Sequence, residues 1–253
     1  MVKPERLHAD VKFQVMSTIV TPVSAEKINL SDWRAVARVI DHTLLKPEST
    51  AEQVVRLCEE AARFEFATAF ISPSFVALAA SILDGTNVKV GAPVGFPQGA
   101  NLTTTKRSEA VDLLRVGADE LDMVLNVGAL KSRNRKLVES DIRGVVEVAH
   151  DGGAILKVIL ETSLLTVDEK ILACELAVAA GADFVKTSTG FAGGGATVDD
   201  VALMRGVVGR RAGVKASGGI RTAGDLAAMV EAGANRIGTS SGVQIIQELG
   251  ASI

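Results

Sequence analysis

Short apolar runs alternate with longer amphipathic segments along most of the chain. The runs Thr68–Ile71, Lys89–Pro93, Glu120–Val124, Ala154–Ile159, Phe184–Lys186, Gly213–Ala216 and Arg236–Thr239 are rich in Val, Ile, Leu and Ala and read as strands. Ile40–Leu45 precedes them as a strand running into a loop closed by Pro47. Apolar residues at helical spacing fill the intervals. Ser31-Asp32 offers N-cap chemistry for a short helix through Val36 and Val39, and Ser49-Thr50 caps a longer one through Phe64 with Val54, Leu57, Ala61 and Ala62 on one face. Further helices are predicted over Phe75–Leu83, Thr103–Val116, Leu137–Ala149, Thr166–Ala180, Val198–Val208, Thr222–Ala232 and Val243–Leu249.

The pattern is strand then helix, repeated eight times. Such alternation implies parallel strands joined by crossovers, and strands apolar on both faces fit a sheet covered by helices. Eight units in about 250 residues suit a closed α/β architecture, the (β/α)8 TIM barrel. A doubly wound open sheet is the alternative. Gly117-Ala118-Asp119, Gly181-Ala182-Asp183 and Gly233-Ala234-Asn235 each end a helix ahead of a strand, the joint that repeated units need. No linker divides the chain, so we read a single barrel domain over residues 31–253 with an N-terminal extension over residues 1–30.

Composition narrows the function classes. Of 253 residues, 47% are hydrophobic and 23% charged, with a net charge of -3, which gives no reason to expect nucleic acid or an acidic membrane as partner. No apolar run is long enough for a membrane span, and the N-terminus lacks the apolar stretch of a signal peptide. Cys58 and Cys174 suggest no disulfide framework, and a cytoplasmic location follows. His8, His42 and His150 stand far apart, so no imidazole-based metal site is expected. Tyrosine is absent and Trp33 is the only tryptophan, which argues against an aromatic stacking platform.

In a barrel of this type the site lies at the C-terminal strand ends. The polar residues in or just after the strands are Asp41 and Thr43 on the first, Asp122 and Asn126 at the fourth, Lys157 on the fifth, Lys186 on the sixth and Lys215 on the seventh. One lysine at a strand end usually reaches solvent by its stem. Three on consecutive strands, beside an aspartate, point elsewhere. Burial and a neighbouring cation lower an ammonium's pKa and make a neutral amine available. That amine attacks a carbonyl carbon to form an imine, and the protonated imine draws electrons from a neighbouring C–C bond. The residues point to Schiff-base aldol chemistry and leave Lys186 and Lys215 tied as nucleophile. Asp41 or Thr43, rather than the adjacent His42, is expected to face the site, because neighbouring strand residues point opposite ways.

A second constellation follows the last strands. Ser217-Gly218-Gly219-Ile220-Arg221 and Gly238-Thr239-Ser240-Ser241-Gly242 let backbone N–H groups approach an anion, and Thr187–Gly190 closes the same pocket. A phosphorylated substrate is expected there. Ala192–Gly195 reads as a flexible loop, Lys131, Arg133, Arg135 and Lys136 as a solvated basic loop, and His150 as a helix-end residue.

From about Leu30 onward the sequence resembles the deoxyribose-phosphate aldolases. The resemblance is carried by Asp41-His42-Thr43-Leu44-Leu45-Lys46-Pro47, Gly95-Phe96-Pro97, the run from Leu121 to Leu130, Leu156–Thr162, Lys186-Thr187-Ser188-Thr189-Gly190-Phe191, Lys215-Ala216-Ser217-Gly218-Gly219-Ile220-Arg221 and Gly238-Thr239-Ser240-Ser241. It implies a barrel that reversibly cleaves 2-deoxy-D-ribose 5-phosphate to D-glyceraldehyde 3-phosphate and acetaldehyde, without metal or organic cofactor, in deoxyribose phosphate catabolism. It implies Lys186 as the imine-forming lysine, with Lys215 and Asp122 as proton donors and acceptors. Asp41, Thr43 and Lys157 match a supporting polar network, and Asn126 is kept with them. Gly190, Gly218, Gly219, Gly238, Ser240 and Ser241 match the phosphate-holding group, and a homodimer is implied. The alternatives are an aldolase of the same fold with another acceptor, a phosphosugar isomerase, and a non-catalytic phosphate-binding barrel. Phe70 stands where the family often has a cysteine, which suggests lower sensitivity to reactive aldehydes. Phe191 stands where one branch has a lysine, and the absence of tyrosine removes the tyrosine-bearing tail of some members.

Overall fold

Each apolar run forms a strand, and the eight strands close on themselves. A computed structural model describes residues 28–252. The expected extension lies almost wholly outside the described residues, and His8 with it. The order is α1 (Trp33–Ala37), β1 (Ile40–Leu44), α2 (Ala51–Phe64), β2 (Thr68–Ile71), α3 (Val76–Leu83), β3 (Lys89–Val94), α4 (Thr103–Arg115), β4 (Glu120–Val124), α5 (Val127–Lys131) and α6 (Arg135–Asp151). It continues with β5 (Ile155–Ile159), α7 (Val167–Ala179), β6 (Phe184–Lys186), α8 (Val198–Val208), β7 (Gly213–Ser217), α9 (Ala223–Glu231), β8 (Arg236–Thr239) and α10 (Gly242–Glu248). Every strand pairs in parallel with its sequence neighbour, and β1 pairs with β8 to close the barrel. The open-sheet alternative is thereby excluded.

Two faces of each strand serve different purposes. Outward residues such as Ala69, Ile71, Leu121, Met123, Leu156, Val158, Val185, Val214 and Ile237 join one apolar cluster with the buried faces of the helices. Alternation then turns Asp41, Phe70, Glu120, Asp122, Lys157, Lys186, Lys215 and Arg236 into the lumen. The apolar cluster lies between sheet and helices, and the charged side chains gather in the lumen beside Phe70. His42 follows the outward set as expected: its Nε2 lies 2.7 Å from Glu60 on α2, and its ring packs against Phe66.

Local chemistry explains the element ends. Thr50 and Gln53, Thr166 and Glu169, and Thr222 and Asp225 form reciprocal capping boxes at the starts of α2, α7 and α9. The three repeated joints turn on Gly117, Gly181 and Gly233 with φ of 105°, 93° and 114°.

Several sequence expectations need correction. The first helix ends at Ala37, so Val39 lies beyond it. Helix α5 was not predicted; the Asn126 side chain caps it at the Ala129 N–H. The basic run is solvated as expected but is not one loop. Lys131 ends α5 and pairs with Glu169 at 2.9 Å, Arg133 takes a left-handed turn at φ 57°, and Arg135 and Lys136 open α6. In the Ala192–Gly195 loop the first two residues are exposed, as expected, but the last two are packed. A Cβ on Gly194 would lie 2.4 Å from the Ser163 Cβ, and one on Gly195 would lie 2.5 Å from the Gly218 carbonyl oxygen.

Candidate active site

The lumen holds a closed ring of alternating charge. Lys157 Nζ donates to Glu120 Oε2 at 2.6 Å and to Asp122 Oδ1 at 2.9 Å. Lys215 Nζ donates to Asp122 Oδ2 at 2.7 Å and touches Asp41 Oδ2 on its other side. Arg236 Nη1 donates to Asp41 Oδ1 at 2.7 Å and to Glu120 Oε2 at 3.0 Å, which closes the ring. Lys186 stands outside it, donating to Asp122 Oδ2 at 2.8 Å. Asp41, Asp122 and Lys157 are fully buried, and Lys186 is 4% exposed.

Strand geometry produces this convergence. Asp122 is in register with Lys157 on β5, and Lys186 on β6 with Lys215 on β7. All point inward, so one carboxylate meets three ammonium groups. The Phe70 ring lies 5.0 Å from Lys186 Nζ and 4.3 Å from Lys215 Nζ. It fits because β3 carries Gly91 beside it, where a Cβ would fall 2.4 Å from a ring carbon. Gly238 plays a similar part for Lys215: its absent Cβ would lie 3.1 Å from the lysine Cε.

Electrostatics separates the lysines. Burial disfavours the Lys186 ammonium, the Lys215 and Lys157 charges add to this, and Asp122 only partly opposes them, so Lys186 is pushed down to about 8. Lys157 feels the same burial, but Asp122 and Glu120 hold it above the ordinary lysine value. Burial alone would raise the Asp122 carboxyl, yet the three ammonium groups hold it well below the usual carboxylate range. Asp41 is held low against its burial by Lys215 and Arg236. Lys157 and Lys215 each contact two carboxylates, whereas Lys186 has one, shared with both of them. A lysine near 8 supplies neutral amine at physiological pH.

The other predicted site residues have the following surroundings. Thr43 is half-buried and donates its hydroxyl to the Asp41 carbonyl at 2.8 Å. Asn126 makes no hydrogen bond to the ring, and its side-chain oxygen accepts from the Ala129 N–H as the α5 cap. Gly190, Gly218 and Gly219 have φ of 84°, 87° and 81°, conformations that favour glycine. Their loops are laced together. Thr187 Oγ1 donates to the Ser217 carbonyl at 3.1 Å, Ser217 Oγ to the Ser188 carbonyl at 2.7 Å, and Thr239 Oγ1 to the Ile220 carbonyl at 2.7 Å. Ser240 is exposed beside them, and the Ser241 N–H donates to Thr239 Oγ1 at 2.9 Å. Phe191 packs edge-on against Phe96, with ring centroids 5.2 Å apart.

Three features escaped the sequence reading. Glu120 and Arg236 complete the ring, and a charged residue two positions before a luminal one was the available signal. Glu161, buried after β5 at φ 59°, accepts from the Thr189 N–H at 3.2 Å and from its hydroxyl, and the same hydroxyl accepts from the Phe191 N–H at 3.1 Å. Lys106 and Asp141 form a buried pair at 2.6 Å between α4 and α6, and Lys106 Nζ also donates to the Val124 carbonyl at the end of β4. Among the described residues, no cluster of three or more His, Cys, Asp or Glu could hold a metal ion.

Comparison with known proteins identifies the family. Residues 35–248 match the DeoC/LacD family aldolase. The chain is 58% identical over 212 residues to the deoxyribose-phosphate aldolase of Geobacillus sp. (strain WCH70), covering 84% of this chain and 95% of that one. It is 55% identical over 218 residues to that of Bacillus subtilis (strain 168), covering 86% and 97%. Among solved structures, the deoxyribose phosphate aldolase of Aeropyrum pernix, described as tetrameric, superposes with a TM-score of 0.82 at 34% identity over 91% of this chain and 100% of that one. With an eight-stranded barrel, a lysine-rich lumen and this similarity across most of its length, the chain belongs to the DeoC/LacD aldolase family.

Proposed function

We propose that this protein cleaves 2-deoxy-D-ribose 5-phosphate to D-glyceraldehyde 3-phosphate and acetaldehyde, with Lys186 as the imine-forming residue. The observation that carries the assignment is a buried amine, pushed down to about 8, on the same carboxylate oxygen as a second lysine. Neutral Lys186 attacks the aldehyde carbon of the open-chain sugar, and loss of water from the carbinolamine gives a protonated imine. The C3 hydroxyl proton leaves to a base, the C2–C3 bond breaks, and its electrons flow into the iminium to form an enamine. Glyceraldehyde 3-phosphate departs. Protonation of the enamine carbon and hydrolysis of the imine release acetaldehyde and regenerate the amine. Asp122 bridges Lys186 and Lys215, so a proton can pass between these two positions without large motion. Asp41, Thr43 and Lys157 support that bridge.

The substrate phosphate is assigned to the loops after β6, β7 and β8. Gly190 and Gly219 are exposed at positive φ, and their N–H groups have no acceptor among the described residues. Gly218, Ser240 and Ser241 flank them. A homodimer is the assembly we carry from the family resemblance. Two buried free thiols, Cys58 and Cys174, support a reducing, cytoplasmic setting. The test is incubation of the purified protein with 2-deoxy-D-ribose 5-phosphate, with and without chelator. Equimolar glyceraldehyde 3-phosphate and acetaldehyde are expected in both arms. Conversion to an isomeric sugar phosphate without cleavage would refute the assignment.

A further inference from the structure

We propose that Glu120 and Arg236, on the floor of the lumen, are positioning residues that keep the charge ring neutral and thereby leave Lys186 as its one surplus cation. The inference rests on the assignment of Lys186 as the imine-forming lysine. Neither residue contacts Lys186, and their effect is transmitted through the ring.

The ring contains three carboxylates, Asp41, Glu120 and Asp122, and three cations, Lys157, Lys215 and Arg236. Each carboxylate lies between two cations and each cation between two carboxylates. The set can be buried with its charges balanced, which a lone buried ion cannot. Lys186 adds a fourth cation to a lumen already in balance. Losing a proton at Lys186 restores neutrality without breaking a ring contact, because Lys186 is not a member of the ring and meets a single carboxylate. The neighbouring elements present no further carboxylate to it. Strand β5 places Ile159 in register with it and Lys157 one inward position below, β7 presents Lys215, and β2 presents the Phe70 ring. Glu161, in the loop after β5, is engaged by Thr189.

Glu120 and Arg236 can therefore be changed without touching the reacting groups, and their effects must have opposite signs. Glu120→Gln removes an anion, makes the lumen more positive and disfavours the Lys186 ammonium further. Arg236→Gln removes a cation and favours that ammonium. One charge acting across the ring at a protein-like dielectric is felt as roughly one pH unit.

The experiment measures kcat/KM against pH for the wild type, Glu120→Gln, Arg236→Gln, the double variant and Arg236→Lys, each checked for fold by circular dichroism. Borohydride trapping on the wild type first establishes which lysine carries the adduct. The acid limb is expected to move down by about one pH unit in Glu120→Gln and up by about one in Arg236→Gln. It should return near the wild-type position in the double variant and stay there in Arg236→Lys. Where one single variant does not fold, the other single variant and the double variant decide the sign. An adduct elsewhere than Lys186 would refute the functional assignment itself. An adduct at Lys186 with an unmoved acid limb, or shifts of the same sign, would leave that assignment standing and overturn this inference.

Discussion

Replacing Lys215 with methionine tests the electrostatic coupling at the heart of the site. Both Nζ atoms sit on Asp122 Oδ2, at 2.8 Å for Lys186 and 2.7 Å for Lys215. Two cations sharing one oxygen lie about 5 Å apart, and at an effective dielectric near 20 they repel by about 3 kcal/mol. Removing one should raise the other by about two pKa units. Lys186 would move from about 8 to the ordinary lysine range. The sign follows from the chemistry, since the neutral form attacks and a raised pKa delays its appearance to higher pH. Turnover is an ambiguous readout, because Lys215 is also assigned a proton-transfer role. The assay is therefore the rate of borohydride trapping with acetaldehyde, followed by mass spectrometry across pH. The wild-type rate should rise through about pH 8 and the Lys215→Met rate about two units later, a loss of roughly a hundredfold at neutral pH. Asp41 keeps Arg236 and Asp122 keeps two lysines, so the fold should survive with a stability loss of about 3 kcal/mol. A trapping profile that coincides with the wild type would refute the coupling.

Other expectations follow from the same geometry. Asp122→Asn should still form a trappable imine while hydrogen–deuterium exchange of the acetaldehyde methyl group, read by NMR, slows by roughly 10²–10⁴; undiminished exchange would remove Asp122 from the proton path. Gly218→Ala forces a side chain onto φ 87° and places its Cβ 2.9 Å from the Gly195 Cα. It should raise KM for the phosphorylated sugar far more than for unphosphorylated deoxyribose, and equal losses on both would argue against a phosphate role. Phe70 puts no thiol in the lumen, and burial pushes the Cys58 and Cys174 thiols up to about 11 and about 12. Activity should therefore survive an α,β-unsaturated aldehyde that inactivates a Phe70→Cys variant. Rapid covalent inactivation of the wild type would contradict this.

The barrel was legible because its signals are local and repeated. Eight apolar runs, capping residues such as Thr50, Thr166 and Thr222, and the three glycine joints each act within a few residues of themselves. The candidate site was legible in part for the opposite reason, since lysines at 157, 186 and 215 contradict the apolar pattern around them. Glu120 and Arg236 were missed because each opens its strand, where charge reads as the edge of a solvated loop. Only barrel closure brings β8 to β1 and lets Arg236 bridge Asp41 and Glu120. Asn126 has a second use that spacing does not show: its side-chain oxygen caps the helix that follows the strand. Spacing leaves Lys186 and Lys215 tied, and it does not show the contrast the barrel creates, with one carboxylate on Lys186 and two on Lys215.

The most direct test of the whole account is reductive trapping on the unmodified protein. With acetaldehyde and borohydride at neutral pH, peptide mapping should locate a single ethyl adduct on Lys186, absent from Lys186→Ala. An adduct on Lys215, or none on any lysine while deoxyribose 5-phosphate is still cleaved, would contradict it.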